Sequence, residues 1–187
     1  MTPSDAEKMN KTAFEAIYGL LKAYHDTPSD DYEAKTRDWI KESLKWAIRI
    51  VEKFITPRAS AEAQRLADSM GLNCLSQYGW LQQTTKMKDK SRKIFHFDHF
   101  YTVSNIRDEL LAITLTNPQS DLNEIERIIT KMDVFWITKE ENQHLDALGY
   151  RSKRPSPEEA YMAAGIEILE INAKPDGQTV KNNDDAN

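Results

Sequence analysis

Apolar residues recur along the first third of the chain at helical spacing. Phe14, Ile17, Leu21 and Tyr24 step by three and four, which places them on one stripe of a helix. The run Asp26-Thr27-Pro28-Ser29-Asp30-Asp31 then breaks the pattern with turn and capping residues. A second helix is predicted with Trp39, Ile40, Leu44, Ala47, Ile48, Val51 and Ile55 on a broad apolar face, ending at Thr56-Pro57. Residues from Ala59 to Met70 are good helix formers, and Gly71 suits the C-cap.

From Gly79 the pattern changes to a period of two. Ile94-Phe95-His96-Phe97-Asp98-His99-Phe100-Tyr101 alternates aromatic and polar positions and predicts a short strand. Ser104 can cap a helix carrying Ile106, Leu110 and Ile113, Asn117-Pro118 ends it, and Leu122, Ile125, Ile128 and Ile129 mark another. Val134-Phe135-Trp136-Ile137 has no helical period and predicts a buried strand. Thr138 with Glu141 matches a capping box, and Ser156-Pro157 starts a helix with the same device and proline at its first position. Residues 166–171 can form a closing strand. The expected class is α+β, mostly helical. A helical subdomain would occupy 1–75, an α+β part with a short β-hairpin or small sheet 76–172, and a disordered tail 173–187.

Composition narrows the class without choosing a function. The chain has 187 residues, 40% hydrophobic and 29% charged, which suits a globular protein. No apolar run approaches the roughly 20 residues of a membrane span, and the acidic, polar start does not read as a secretory signal. The single cysteine, Cys74, allows no internal disulfide, so a cytoplasmic protein without a membrane partner is expected. A net charge of −5 argues against nonspecific coating of nucleic acid. Basic residues nevertheless cluster at Lys86, Lys88, Lys90, Arg92 and Lys93, and again at Arg151, Lys153 and Arg154. A local basic face can bind phosphate on an acidic protein, because screening limits the field to near neighbours.

Candidate chemistry concentrates at His96-Phe97-Asp98-His99. On a strand, His96 and Asp98 share one face and His99 takes the other. A neighbouring carboxylate and imidazole suit metal-assisted hydrolysis: one holds a divalent ion and a neutral imidazole takes a proton from the attacking water. Arginine and lysine nearby, Arg92 among them, would hold the phosphate and offset its developing charge. In contrast, His25 and His144 read as exposed and inert, and Glu141 as a capping residue.

Asp98-His99-Phe100-Tyr101-Thr102-Val103 resembles the opening Asp-His motif of HNH (His-Me finger) nucleases. The surrounding segments 92–99, 137–142, 149–155 and 160–166 are similar to small bacterial and phage proteins associated with that superfamily. The resemblance covers about residues 80–169. It implies Asp98 as a metal ligand, with His96 and Asn142 (or His144) completing the set, His99 as general base, and a Mg or Mn type ion as cofactor. It also implies nucleic acid as partner, DNA ahead of RNA, gripped by Lys88, Lys90, Lys93, Arg151, Lys153 and Arg154. Thr102 departs from the motif, which often has proline there, and neither Cys-x-x-Cys pairs nor a final His-x-x-x-His motif follow.

Two further readings stay open. Arg92 and His99, with six residues between them, fit the spacing of metal-independent HEPN-like ribonucleases, provided a helix runs through both. Alternatively the basic clusters bind nucleic acid or protein without catalysis and the histidines are structural. A homodimer would suit cutting both strands of a duplex, but no residue pattern specifies one.

Overall fold

The computed structural model describes residues 3–28, 33–88 and 93–169, and for 3–10 only the course of the backbone. Seven helices and three short strands follow in order: α1 (Pro3–Asp26), α2 (Ala34–Val51), β1 (Arg58–Ala59), α3 (Ala61–Ser69), β2 (Phe95–His99), α4 (Val103–Leu111), α5 (Pro118–Ile129), β3 (Val134–Thr138), α6 (Lys139–Ala147) and α7 (Pro157–Ala163). A single 3₁₀ turn, Glu52–Phe54, extends α2, and two others lie at Leu75–Gln77 and Trp80–Gln82. The fold is α+β and mostly helical, as the periodicities predicted. Among the described residues no helix is long and apolar enough to cross a membrane.

The strands form one sheet in the order β1-β3-β2. β3 pairs in parallel with β1, Arg58 opposite Phe135, and antiparallel with β2, Phe97 opposite Trp136 and His99 opposite Val134. β2 and β3 are therefore not a hairpin, because α4 and α5 intervene between them. β3 is fully buried and its alternation sorts two cores. Val134 and Trp136 pack with Phe95, Phe97 and the Ala63 and Ala67 face of α3, whereas Phe135 and Ile137 pack with Leu145, Ala160 and Tyr161. Trp136 donates its indole N–H to the Tyr78 carbonyl at 2.6 Å, which satisfies the one polar atom of that side chain.

A third core joins α1, α2, α4 and α5 through Ile17, Leu21, Leu44, Ile48, Ile106, Leu110, Ile125 and Ile128. It draws on both sides of residue 75, and so does the core beneath α3. A division at 75 would run through two of the three cores: helices α4 and α5 return to complete the apolar packing that α1 and α2 start.

Local signals explain most boundaries. Thr138 caps α6 in a full capping box with Glu141, and Ser156 caps α7 by accepting from the Glu159 amide. Glu141 also accepts from the Ser60 hydroxyl at 2.7 Å, tying the start of α6 to that of α3. Gly71 takes φ 65° just past α3, a left-handed conformation that glycine adopts without steric cost. Three expectations shift. Thr102, not Ser104, caps α4, because its extended backbone aims the hydroxyl at the Asn105 amide. The closing segment forms one bridge, Ser60 with Ile168, within the described residues. Trp39 is 66% exposed rather than in the core, since the buried row of α2 is Ile40, Leu44, Ala47, Ile48 and Val51.

Candidate active site at the edge of the sheet

β2 is an edge strand, and a cavity of about 440 Å³ runs along it. His96, Asp98 and His99 line it from the strand, Arg49 from α2, Lys139, Asn142 and Asp146 from α6, and Arg151 from the loop before α7. A second cavity of about 250 Å³ shares Arg49, His96, His99 and Lys139 and continues to Trp80, Gln83 and Met87. Strand alternation puts His96 and Asp98 on the α6 side and His99 on the side of α2. His99 closes the strand, so both imidazoles still reach one cavity.

Asp98 is 7% exposed and its carboxylate is committed inward. Arg154 donates to both oxygens, Nη1 to Oδ2 at 2.6 Å and Nη2 to Oδ1 at 3.1 Å, and the Tyr161 hydroxyl donates to Oδ2. Arg154 itself is 1% exposed. Its burial disfavours the charge, but Asp98 outweighs that cost and holds the guanidinium protonated above its ordinary range. Burial, then Asp98, push the Tyr161 phenol well above its usual value, so it serves as a donor.

The same guanidinium reaches the backbone of the next residue. Arg154 Nη1 donates to the His99 carbonyl at 2.7 Å and Nε to the Tyr150 carbonyl at 2.9 Å. Asn105 accepts from the Arg154 amide, and the Thr102 hydroxyl donates to the Ser152 carbonyl. Arg154 thus fixes the end of β2 against the 150–154 loop and the start of α4. Arg154, expected on the surface beside Arg151 and Lys153, is a buried positioning residue.

His99 Nε2 bonds Glu52 Oε2 at 2.5 Å, with both side chains nearly buried at 12% and 9% exposure. Glu52 was not singled out in the sequence, yet it continues the buried row Ile40, Leu44, Ile48 by one more step of four. A carboxylate in phase with a core row is the signal that marks it. His96 lies between Lys139 Nζ, 3.1 Å from its Nδ1, and Asp98 Oδ1, 3.8 Å from its Nε2. Burial lowers its pKa, Asp98 opposes this, and Lys139 and His99 add to it, which favours the neutral ring.

The remaining expected residues are dispersed. Lys153 pairs with Asp108 at 2.9 Å, and Arg107 also contacts Asp108. Lys88 and Lys93 are exposed on the chain leading to β2. Lys90 and Arg92 lie outside the described residues. Asn142 lines the main cavity, while His144 is exposed. Arg49, Lys139 and Asp146 are site residues that spacing alone did not single out. Among the described residues, no group of three or more histidine, cysteine, aspartate or glutamate side chains is arranged to hold a metal ion. The three comparisons, with family models, curated proteins and solved structures, find no match for this chain.

Proposed function

We propose that the cavity along β2 binds a phosphodiester of nucleic acid and hydrolyses it, with His99 as the proton-transfer group. One observation carries this reading: His96 and His99 open on the same cavity as Arg49, Lys139 and Arg151. Three cationic side chains around a groove suit a phosphate and the charge that grows on it during substitution. Glu52 holds the His99 ring by Nε2, which fixes its orientation as an acid–base group requires. In the reaction, the oxygen of a water attacks phosphorus and its proton passes to His99. The bond from phosphorus to the leaving oxygen then breaks, and that oxygen takes a proton from solvent.

The HNH resemblance implies a divalent ion at Asp98, His96 and Asn142. These residues do not fit it well. Each Asp98 oxygen already accepts from Arg154, and His96 Nδ1 faces an ammonium group. No step above passes through a metal. The helix through Arg92 and His99 that a HEPN-like reading needs is absent at Phe95–His99, which is strand.

A second reading is favoured by a specific feature: both imidazoles already have partners within the fold, Glu52 and Lys139. On that reading the groove binds nucleic acid without cutting it. One experiment separates the readings. Plasmid DNA and single-stranded RNA are incubated with the wild-type chain, His99→Ala and Lys139→Ala, each with Mg²⁺, with Mn²⁺ and with EDTA. Cutting that His99→Ala abolishes in a still-folded protein supports hydrolysis, and its survival in EDTA shows that no metal is needed. Binding by fluorescence anisotropy without cutting, weakened by Lys139→Ala, favours the second reading. Neither binding nor cutting of either polymer overturns both.

A further inference from the structure

Helix α2 carries an apolar row that stays exposed among the described residues. Trp39 is 66% exposed, Trp46 70% and Ile50 45%. At about 100° per residue the three fall within roughly 40° of one another. They lie about a third of a turn from the buried row of Ile40, Leu44 and Ile48. Single exposed apolar residues are ordinary, but two tryptophans and an isoleucine aligned over three turns form a contiguous patch, which marks an interaction surface.

Charge beside this row reverses along the helix. Asp38 and Glu42 flank its N-terminal half, while Lys45, Arg49 and Lys53 flank its C-terminal half. The acidic pair makes only exposed contacts within the helix, Asp38 to Lys41 and Glu42 to Lys45, which are weak and easily shared. Lys35 departs from the pattern, but it lies a turn beyond Asp38. A uniformly acidic or basic partner would match one half of this face and oppose the other. A copy of the same helix running the opposite way matches both. The segment 170–187 is a poor occupant, because Ile171 and Val180 are its only large apolar residues.

We propose that this face pairs with the same face of a second copy of the chain, the two α2 helices antiparallel about a two-fold axis near residue 45. Trp39 then lies over the partner copy's Ile50, and Trp46 lies close to the axis. Asp38 meets the partner copy's Lys53 and Glu42 meets its Arg49, so each contact is made twice. The apolar row does not line the phosphodiester groove, and Arg49 is the residue that borders both.

Sedimentation velocity of the full chain from about 1 to 100 µM tests it, the range suited to a small interface. A reversible dimer is expected. Trp46→Lys should raise its dissociation constant by about 30-fold or more, with circular dichroism unchanged. Asp38→Lys and Lys53→Asp should each weaken it, and the double variant should recover to within about threefold of wild type. A monomer throughout overturns the proposal, as does a dimer indifferent to Trp46→Lys. A full chain that dimerises only after 170–187 is removed also overturns it, because that segment is then the occupant.

Discussion

The packing among α1, α2, α4 and α5 and the packing around the end of β2 solve different problems. In the first, Ile17, Leu21, Leu44, Ile48, Ile106, Leu110, Ile125 and Ile128 pack on one another, and the buried carboxylate of α5, Asp121, accepts only locally, from Thr116. In the second, Asp98, Arg154 and Glu52 are buried next to His99, Arg154 on its carbonyl and Glu52 on its ring. The helical packing gains stability from apolar area and tolerates small shifts. The buried charges add little net stability, because desolvation offsets their attraction. What they provide is direction: a bidentate guanidinium fixes the angle as well as the distance of what it holds. Precision was placed where His96 and His99 are, and bulk among the helices.

Removing one partner of the charged set should have the largest effect. Asp98→Ala leaves a fully buried guanidinium without its carboxylate and should cost about 3–5 kcal/mol in urea denaturation. Replacing both partners, as Asp98→Leu with Arg154→Met, should recover much of that loss while leaving the His99 carbonyl without its donor. If the double variant were as unstable as the single one, the contrast between bulk and precision would fail. Leu44→Ala in the helical packing should cost about 3 kcal/mol with no change in the chemistry of His99, followed by the NMR shift of its ring.

A smaller effect is expected at the start of α6. Thr138→Ala removes one half of the capping box and should cost about 1 kcal/mol in the same assay.

The smallest effect is one of pH. Burial lowers the His96 pKa relative to about 6.5 in the unfolded chain, so the folded state binds fewer protons. Stability from this group is present above that value and is lost as pH falls through the folded pKa. Denaturation midpoints should decline from pH 7 to 5 for the wild type and less steeply for His96→Gln. An equal slope in both would remove His96 from the comparison.

The helical part of this contrast was legible in the sequence, and the charged part was not. Spacing in Ile17, Leu21, Leu44 and Ile48 gives the helices and their inner faces, and Thr138 with Glu141 marks the start of α6 through a purely local device. Trp39 shows the limit of that signal. It neighbours Ile40 in sequence, and only the placement of α1 and α4 decides which edge of the apolar face is covered. The alternation of Phe95 to His99 revealed β2, but not that its partner strand returns after two helices. Arg154 sits among Arg151 and Lys153 with nothing local to distinguish it. Its role is set by Asp98, far away in the chain, and no spacing rule spans that gap.

That gap has a consequence for how the protein is made. Asp98 and Arg154 are separated by 56 positions, and Tyr161 lies 63 beyond Asp98. A chain emerging from the ribosome exposes His96, Asp98 and His99 well before the arginine that orients them has been synthesised. Helices α1 and α2 can form early from local contacts, whereas the end of β2 must wait for the last third of the chain. Between the synthesis of His99 and that of Arg154 the histidines are therefore present with their geometry unset.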